Sequence, residues 1–261
     1  MEKYKELEQV IPDILFPTDN DAEIPTLRMD MQAQDITNPF LCWGEQKRTT
    51  NLLGLGSMHF YTDDYRYTAL YDHPEQILRS NPRNIVEPNY SLFSDMPIAF
   101  GMQRIYKKRW IARAMQDRGI RVFVDLNVNQ KYYKLNMLGV PMGWRAFATR
   151  GYSDRLANLD YEYNIACSWA NGEEPLFVIY GGGIECRRFA QTHPGCVYAN
   201  PLVTTKKSLE ALKKIHEGIA FFNEDFSIKG LEKMTPFDKQ LEDFRKLHKQ
   251  EQKAISKAKK D

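Results

Sequence analysis

The stretch of residues 84–129 constrains the fold of this chain more than any other. A short apolar run near its start ends at Pro88, which cannot donate a ladder hydrogen bond and so ends a central strand. From Ile98 onward apolar residues recur at helical spacing until Gly119, a residue type that favours helix termination. Residues 121–125 (RVFVD) are then β-branched, aromatic and apolar, as in a buried strand. Two such strands joined by a helix predict a parallel βαβ unit.

The same alternation continues on both sides of this unit. Further strand candidates are residues 58–61, 144–149, 176–180 and 196–198, and further helix candidates are residues 132–138, 156–170 and 208–222. Strands that alternate with helices predict an α/β fold built from parallel βαβ units. An open sheet and a barrel are both compatible with the pattern, and we favour a barrel-like arrangement, complete or partial.

Changes in composition divide the chain into three parts. Residues 1–50 are punctuated by prolines and predict an irregular N-terminal segment that wraps the core, which spans residues 51–205. Residues 206–261 predict charged C-terminal helices with a basic tail. A solvated terminal helix explains that tail, and a basic arm for nucleic acid or a partner is the alternative.

Length and composition bound the class of protein. The 261 residues are 43% hydrophobic and carry a net charge of +2, which is typical of a soluble globular protein and argues against a general nucleic-acid coat. No apolar run is long enough for a membrane span, so no membrane partner is expected. The N-terminus is charged and lacks a signal-peptide core, and the four cysteines show no CxxC spacing. We therefore expect reduced thiols and a cytoplasmic location, in the host cell for a phage-encoded protein.

Four segments carry a resemblance to a known family. Residues 58–78, 85–128, 139–152 and 173–183 resemble DUF4417, a domain of unknown function found in bacteria, phages and other mobile elements. The resemblance covers roughly residues 12–200, and its most specific part is PNYSLFSDMP at residues 88–97. The family's usual aspartate after this proline is Asn89 here, so a carboxylate at that position is not required in this chain. The resemblance implies a phage or mobile-element context and brings no established activity.

Polar residues follow the predicted strands. Ligands of parallel α/β folds bind beyond the carboxyl ends of the strands. Glu87, Asp125 and either Asp63 or Asp64 are therefore candidate metal ligands for a hard cation such as Mg²⁺. Glu87, Asp125 and Arg150 are candidate catalytic residues, with Arg150 as an anion clamp. The alternative is structural: Asp125 as a turn residue, and Glu87 as the partner of a nearby arginine.

A run of three glycines follows the clearest strand. The backbone of Gly181, Gly182 and Gly183 could approach a phosphate closely, and Arg187 nearby adds positive charge. The run matches neither the P-loop nor the GxGxxG pattern. A tight turn or close backbone packing explains the same glycines.

The predicted helix of the central unit is strongly basic. Its candidate nucleic-acid-binding residues are Arg104, Lys107, Lys108, Arg109 and Arg113. Aromatic residues lie among them, and such mixtures hold phosphates and stack bases. The solvated outer face of a crossover helix is the alternative explanation.

Three functions fit these features. The first is a phage or mobile-element protein that handles nucleic acid, with metal-assisted phosphodiester chemistry as an extension. The second is a non-catalytic binding or regulatory protein that recognises an anionic ligand or a host or phage protein. The third is a small-molecule barrel enzyme. Carboxylates of Glu87, Asp125 and Asp63 or Asp64 within about 4–6 Å of one point would favour metal chemistry, and separate salt bridges would favour binding.

Overall fold

A computed structural model of the protein describes residues 15–36, 40–44, 52 and 54–199. All of them belong to a compact unit, Met1–Lys214; the second unit, Ile215–Asp261, lies outside the described residues. The predicted helix at residues 208–222 and the predicted C-terminal helices with their basic tail lie outside them as well.

The described residues form one parallel seven-stranded sheet, in which each strand pairs with its neighbour in sequence. The strands are β1 (Phe40–Cys42), β2 (Ser57–His59), β3 (Asn84–Val86), β4 (Arg121–Asp125), β5 (Ala146–Arg150), β6 (Leu176–Tyr180) and β7 (Cys196–Ala199). The helices are α1 (Glu75–Arg79), α2 (Ile98–Gln116), α3 (Tyr133–Asn136), α4 (Leu156–Trp169) and α5 (Gly183–Thr192). Short 3₁₀ turns occur at Met29–Met31, Asp64–Arg66, Thr68–Leu70 and Gln130–Tyr132.

The sheet curls into a half-barrel. The rings of Phe40 on β1 and Tyr180 on β6 have centroids 5.8 Å apart, although four strands separate β1 from β6 in the sheet order. Neighbouring strands lie about 4.8 Å apart, so a flat sheet would hold these residues more than about 20 Å apart. His59 on β2 closes the same gap, with its ring 4.0 Å from that of Tyr180. The concave side is therefore filled by aromatic side chains.

The central βαβ unit follows the sequence pattern closely. Strand β4 has four buried residues out of five, as expected of a strand covered on both faces. Helix α2 ends at Gln116, and Gly119 adopts a φ of +85° just before the chain enters β4. This left-handed conformation is the one that glycine adopts without a Cβ penalty.

The N-terminal segment packs beside the start of β4 and the C-terminal end of α2. Gln32 forms a parallel bridge with Val122, and the Ala33 amide donates to the Val122 carbonyl at 2.9 Å. The buried Gln116 side chain bonds the backbone of Arg28 in both directions, at 2.8 and 3.0 Å. The sheet itself begins earlier than predicted, since β1 precedes residue 51.

The predicted fold class, parallel α/β and barrel-like, is confirmed by the sheet order and curl. Strands at 121–125 and 176–180 have the predicted bounds, and the other predicted strands within the described residues differ by one or two residues at an end. No helix in the described ranges is both long and apolar enough to cross a bilayer.

Candidate functional site

A polar cleft of about 970 Å³ opens at the carboxyl end of the parallel strands. Four loops line it, those after β2 (residues 62–65), β3 (Asn89 and residues 91–95), β4 (residues 127–129) and β5 (Tyr152 and Arg155). The last residue of β5 (Arg150), Arg104 of α2, and Asn158, Leu159 and Glu162 of α4 complete the lining. This is the edge at which parallel α/β proteins bind their ligands. The topology therefore gathers into one site loops that are up to about 100 residues apart in the chain.

Behind the cleft lies a buried network of four charges. Lys108 Nζ is 3.3 Å from Asp125 Oδ2 and 3.8 Å from Glu87 Oε2. Arg109 Nη1 is 2.7 Å from Glu87 Oε1. All four side chains are at most 1% exposed. Each carboxylate thus has a cation beside it, as a buried charge requires.

Backbone and amide groups complete this network. The Asp125 amide donates to Glu87 Oε2 at 3.2 Å, and Arg109 Nη2 donates to the Asn136 carbonyl. Asn136 Nδ2 in turn donates to the Asp125 carbonyl at 2.9 Å. Lys108 Nζ donates to the same carbonyl at 3.0 Å. The network therefore joins α2 and α3 to the ends of β3 and β4.

Two asparagines connect the network to the cleft wall. Asn89 Nδ2 donates to Asp125 Oδ2 and to the Asn127 carbonyl, both at 2.9 Å. Asn127 Nδ2 donates to Asn89 Oδ1 at 3.1 Å. An ionised aspartate at position 89 could not donate to Asp125 and would place two carboxylates together. The asparagine in this chain is thus matched to Asp125.

Each candidate metal ligand already has a cationic side chain beside it. Glu87 and Asp125 pair with Lys108 and Arg109, whereas Asp63 lies on the surface, 3.9 Å from Arg66 Nε. Asp64 accepts from the Ser91 amide and hydroxyl and lies 3.3 Å from Arg104 Nη1. Within the described ranges, no three His, Cys, Asp or Glu side chains are grouped as a metal site requires. Lys108 joins Glu87 to Asp125, whereas Asp63 and Asp64 pair with other arginines.

The basic residues of α2 do not form one surface. Lys108 and Arg109 are buried in the network, so neither side chain is available to a nucleic acid in this fold. Lys107 Nζ lies 5.0 Å above the Tyr71 ring. Arg113 pairs with Asp117 one turn later on the helix. Arg104, which pairs with Asp64, is the only member of the predicted set that lines the cleft.

The three glycines form a close-packed turn between β6 and α5. All three have φ between +72° and +82°. A Cβ on Gly182 would lie 2.3 Å from Cys186 Sγ and 2.6 Å from the Gly151 carbonyl carbon. A Cβ on Gly183 would meet nothing within 4 Å, and Arg187 is exposed on α5. Close backbone packing accounts for Gly182, and the predicted anion site here stays a prediction.

Two arginines at the end of β5 and in the loop after it add positive charge to the cleft. The guanidinium carbons of Arg150 and Arg155 lie 5.4 and 4.8 Å from the Tyr152 ring centroid. Neither arginine has a carboxylate within 4.0 Å among the described residues. The pKa of His59 is lowered to about 3, mainly by burial and to a smaller extent by the positive charge of Arg150. Arg150 was a sequence candidate, whereas Tyr152 and Arg155 were not.

Glu162 is a site residue that the sequence reasoning missed. It is 5% exposed and lies on helix α4 at the cleft. Thr149 Oγ1 donates to its Oε2 at 2.6 Å, and the Tyr133 hydroxyl donates to its Oε1 at 3.3 Å. Burial raises its pKa to about 8 in spite of these two bonds. Glu162 is three residues after Leu159 and four before Ala166, which are the other buried residues of α4. This helical spacing could have indicated that Glu162 lies on the inner face of the helix.

Together the curled sheet and its cleft define an α/β half-barrel protein with a polar site at the carboxyl mouth. The chain belongs to the family described as Domain of unknown function (DUF4417), whose sequence profile matches residues 16–164, more than half of its length.

Two curated relatives are phage proteins. The chain is similar to the Gene 1 protein of Mycobacterium phage D29, with 31% identity over 113 residues that cover 41% of this chain and 40% of the relative. It is similar to the Gene 1 protein of Mycobacterium phage L5, with 28% identity over 111 residues that cover 41% and 47%. The matched region thus spans less than half the length of either relative. No solved structure matches this chain.

Proposed function

We propose that this phage-type protein binds a phosphate-bearing ligand in the cleft at the mouth of the half-barrel. The observation that carries the proposal is the pair Arg150 and Arg155, placed on the cleft wall around Tyr152 without a carboxylate partner among the described residues. An arginine that is not neutralised internally is available to an anion. Its planar fork suits the oxygens of a phosphate.

The surroundings of the two arginines support this class of ligand. Contact with the Tyr152 ring restrains both guanidinium groups, which lowers the entropy lost when they bind. The amides of Asn129 and Asn158 also line the cleft and can donate hydrogen bonds to ester or sugar oxygens. The volume of about 970 Å³ is at the upper end of the roughly 300–1,000 Å³ usual for small-molecule sites.

A nucleic-acid strand and a free nucleotide present the same phosphate chemistry. The similarity of this chain to two phage proteins is compatible with either source of phosphate. The proposal is for binding through the cleft and does not include the predicted basic face of α2, because Lys108 and Arg109 are buried. It also includes no metal-assisted step, because Lys108 and Arg109 already neutralise Asp125 and Glu87. A protein partner stays a prediction from the sequence.

Binding of labelled probes tests the proposal and separates the two sources. We expect the double variant Arg150→Ala/Arg155→Ala to bind a phosphate-bearing probe at least about tenfold more weakly, a loss of about 1.4 kcal/mol. The probes are a fluorescent mononucleotide, a short single-stranded oligonucleotide and a duplex of the same length. Preference for the oligonucleotide indicates nucleic acid, and equal binding of the mononucleotide indicates a small ligand.

Arg145→Ala is the matched control for this experiment. Arg145 immediately precedes β5 at the opposite end of the strand from Arg150, and its Nε donates to the Glu174 carbonyl at 2.7 Å. It carries the same charge far from the cleft, so its loss should leave affinity within about twofold. Equal losses in both variants would show only a general charge effect and would contradict the cleft as the site.

A further inference from the structure

Glu162 differs from the other buried carboxyl groups in its partners. Asp125 and Glu87 each have a lysine or arginine nitrogen within 4.0 Å. Glu162 has none among the described residues, and its two hydrogen-bond partners are the hydroxyls of Thr149 and Tyr133. An ionised carboxylate that is buried without a cation costs several kcal/mol, so such a group takes up a proton instead.

We infer that Glu162 is held as a neutral carboxylic acid on the inner wall of the cleft, where it donates a hydrogen bond to the anionic group that Arg150 and Arg155 bind. This inference rests on the proposed function, because it concerns the same ligand. It assigns to Glu162 the role of a protonation-dependent donor. A donor at this position favours an oxyanion ester that has one more acceptor oxygen than the two arginines bind.

The geometry suits a donor role. Glu162 lies on the cleft lining although it is only 5% exposed, so the residue borders the site with little contact to bulk water. The hydroxyls of Thr149 and Tyr133 fix the orientation of both oxygens, at 2.6 and 3.3 Å. A donor whose position is fixed before the ligand arrives loses little entropy on binding.

The titratable groups that face Glu162 favour its neutral form. Asp125 on β4 adds negative charge and raises the pKa of Glu162 further, and burial is the larger cause. Tyr61 after β2, Tyr133 on α3 and Cys186 on α5 face it from the other elements, and burial raises the pKa of each of them. These three groups are therefore uncharged at neutral pH and offer no positive charge to a carboxylate. Arg150 and Arg155 are cations on the same cleft, but neither lies within 4.0 Å of the Glu162 carboxyl group, and neither is among the causes that shift its pKa.

A neutral Glu162 makes anion binding dependent on pH. Below a pH of about 8 the carboxylic acid donates to the ligand, and above it the carboxylate repels the same ligand. A bound anion should itself raise the pKa of Glu162, so binding near pH 8 is accompanied by proton uptake. No bond of the ligand is broken.

Sulfate is the probe for the first test, because its charge does not change over the pH range in question. We expect calorimetry to show the affinity of the full chain for sulfate falling by about tenfold as pH rises through about 8. The variant Glu162→Gln keeps the shape and a neutral donor, so it should bind sulfate with an affinity that does not vary with pH. Asp160→Asn, on the outer face of the same helix, is the control and should behave as the unmodified protein.

Carbon-13 NMR of the glutamate carboxyl groups provides the second test, which needs no ligand. The signal that Glu162→Gln removes should titrate near pH 8, and a midpoint near 4.5 would overturn the inference. Sulfate binding that is independent of pH in the unmodified protein would also overturn it, while leaving the proposed function intact. Failure to bind sulfate at any pH would overturn the proposed function and the donor role together, even with an NMR midpoint near 8.

Discussion

Lys108 and Asp125 meet inside the half-barrel through two contacts of one ammonium group. Lys108 Nζ lies 3.3 Å from Asp125 Oδ2 and 3.0 Å from the Asp125 carbonyl oxygen, and both side chains are at most 1% exposed. The pair fastens the middle of helix α2 to the carboxyl end of β4. Since Asn89 joins Asp125 to the cleft wall, the pair also supports the candidate site.

Removing this lysine should destabilise the protein strongly. Lys108→Met keeps the length of the side chain but leaves the carboxylates of Asp125 and Glu87 with Arg109 as their remaining cation. We expect a loss of about 3–5 kcal/mol in the free energy of unfolding, the usual cost of breaking a buried ion pair from one side. Urea unfolding followed by circular dichroism measures it.

The adjacent lysine is the control. Lys107 contacts the Tyr71 ring at the surface of the same helix, so Lys107→Met should cost no more than about 1 kcal/mol. Similar small losses in both variants would show that the Lys108 pair contributes little.

Asp125→Asn tests whether this carboxylate is structural or binds a metal. The buried carboxylate accepts from Tyr61, Asn89 and the Asn127 amide in addition to Lys108, and a neutral asparagine cannot serve all of them. We expect a loss of about 3–5 kcal/mol with no difference between unfolding curves measured with and without Mg²⁺.

Asp63→Asn, at an exposed carboxylate, should cost less than about 0.5 kcal/mol in the same experiment. A nearly unchanged melting temperature for Asp125→Asn, together with loss of a Mg²⁺ response that the parent shows, would instead support the metal-ligand hypothesis.

The turn after β6 offers a test of backbone packing. Gly182 and Gly183 both have positive φ, so alanine is strained at either position by about 1 kcal/mol. Only at Gly182 does the added Cβ collide with other atoms, Cys186 Sγ and Gly151 backbone. Thermal unfolding should therefore show a larger loss for Gly182→Ala than for Gly183→Ala. Equal losses would mean that strain alone determines both values.

His59 should make stability depend on pH in the acidic range. Its pKa is lowered to about 3 in the folded protein, against 6.5 for an ordinary histidine, so the unfolded chain binds a proton between these values and the folded chain does not. The contribution of His59 to stability is complete above pH 6.5 and declines as pH falls toward 3. The expected slope is up to about 1.4 kcal/mol per pH unit.

Comparison with His59→Phe isolates this effect. Phenylalanine keeps a ring against Phe40 and Tyr180 and cannot titrate, so urea unfolding from about pH 7 to 5 should show a shallower loss for the variant. His73→Gln removes an exposed histidine and should leave the slope of the parent unchanged. A slope that His59→Phe does not alter would show that other groups cause the acid sensitivity.

Local pattern was enough to predict most elements of the sheet. Strands β4 and β6 are continuous apolar runs bounded by glycine or polar residues, and helix α2 shows helical periodicity between Pro97 and Gly119. Strand β1 was missed because Phe40–Cys42 directly follows Pro39 in the proline-punctuated segment that predicted irregular structure. The curl of the sheet has no local signature, since it depends on contacts such as Phe40 with Tyr180.

The charged residues of α2 show why pattern was insufficient for the site. Lys108 and Arg109 lie in the same helical stripe as Ile105 and Ala112, which are buried, and this spacing could have indicated an inner position. Charged residues on a crossover helix are usually solvated, so both side chains were expected at the surface. Only the positions of Glu87 and Asp125 on neighbouring strands explain why burial is tolerated.

The sequence by itself determined a parallel α/β fold, its family and the strand ends at which the candidate site lies, because hydrophobic periodicity and parallel topology are encoded locally and in chain order. Tertiary structure decided which of the polar residues at those ends are paired with an opposite charge. Asp125 and Glu87 pair with lysine and arginine from α2, whereas Arg150, Arg155 and Glu162 line the cleft with no opposite charge within 4.0 Å among the described residues. The physical reason is that the charge state and availability of a side chain depend on neighbours distant in sequence, which only the folded arrangement brings within a few ångströms.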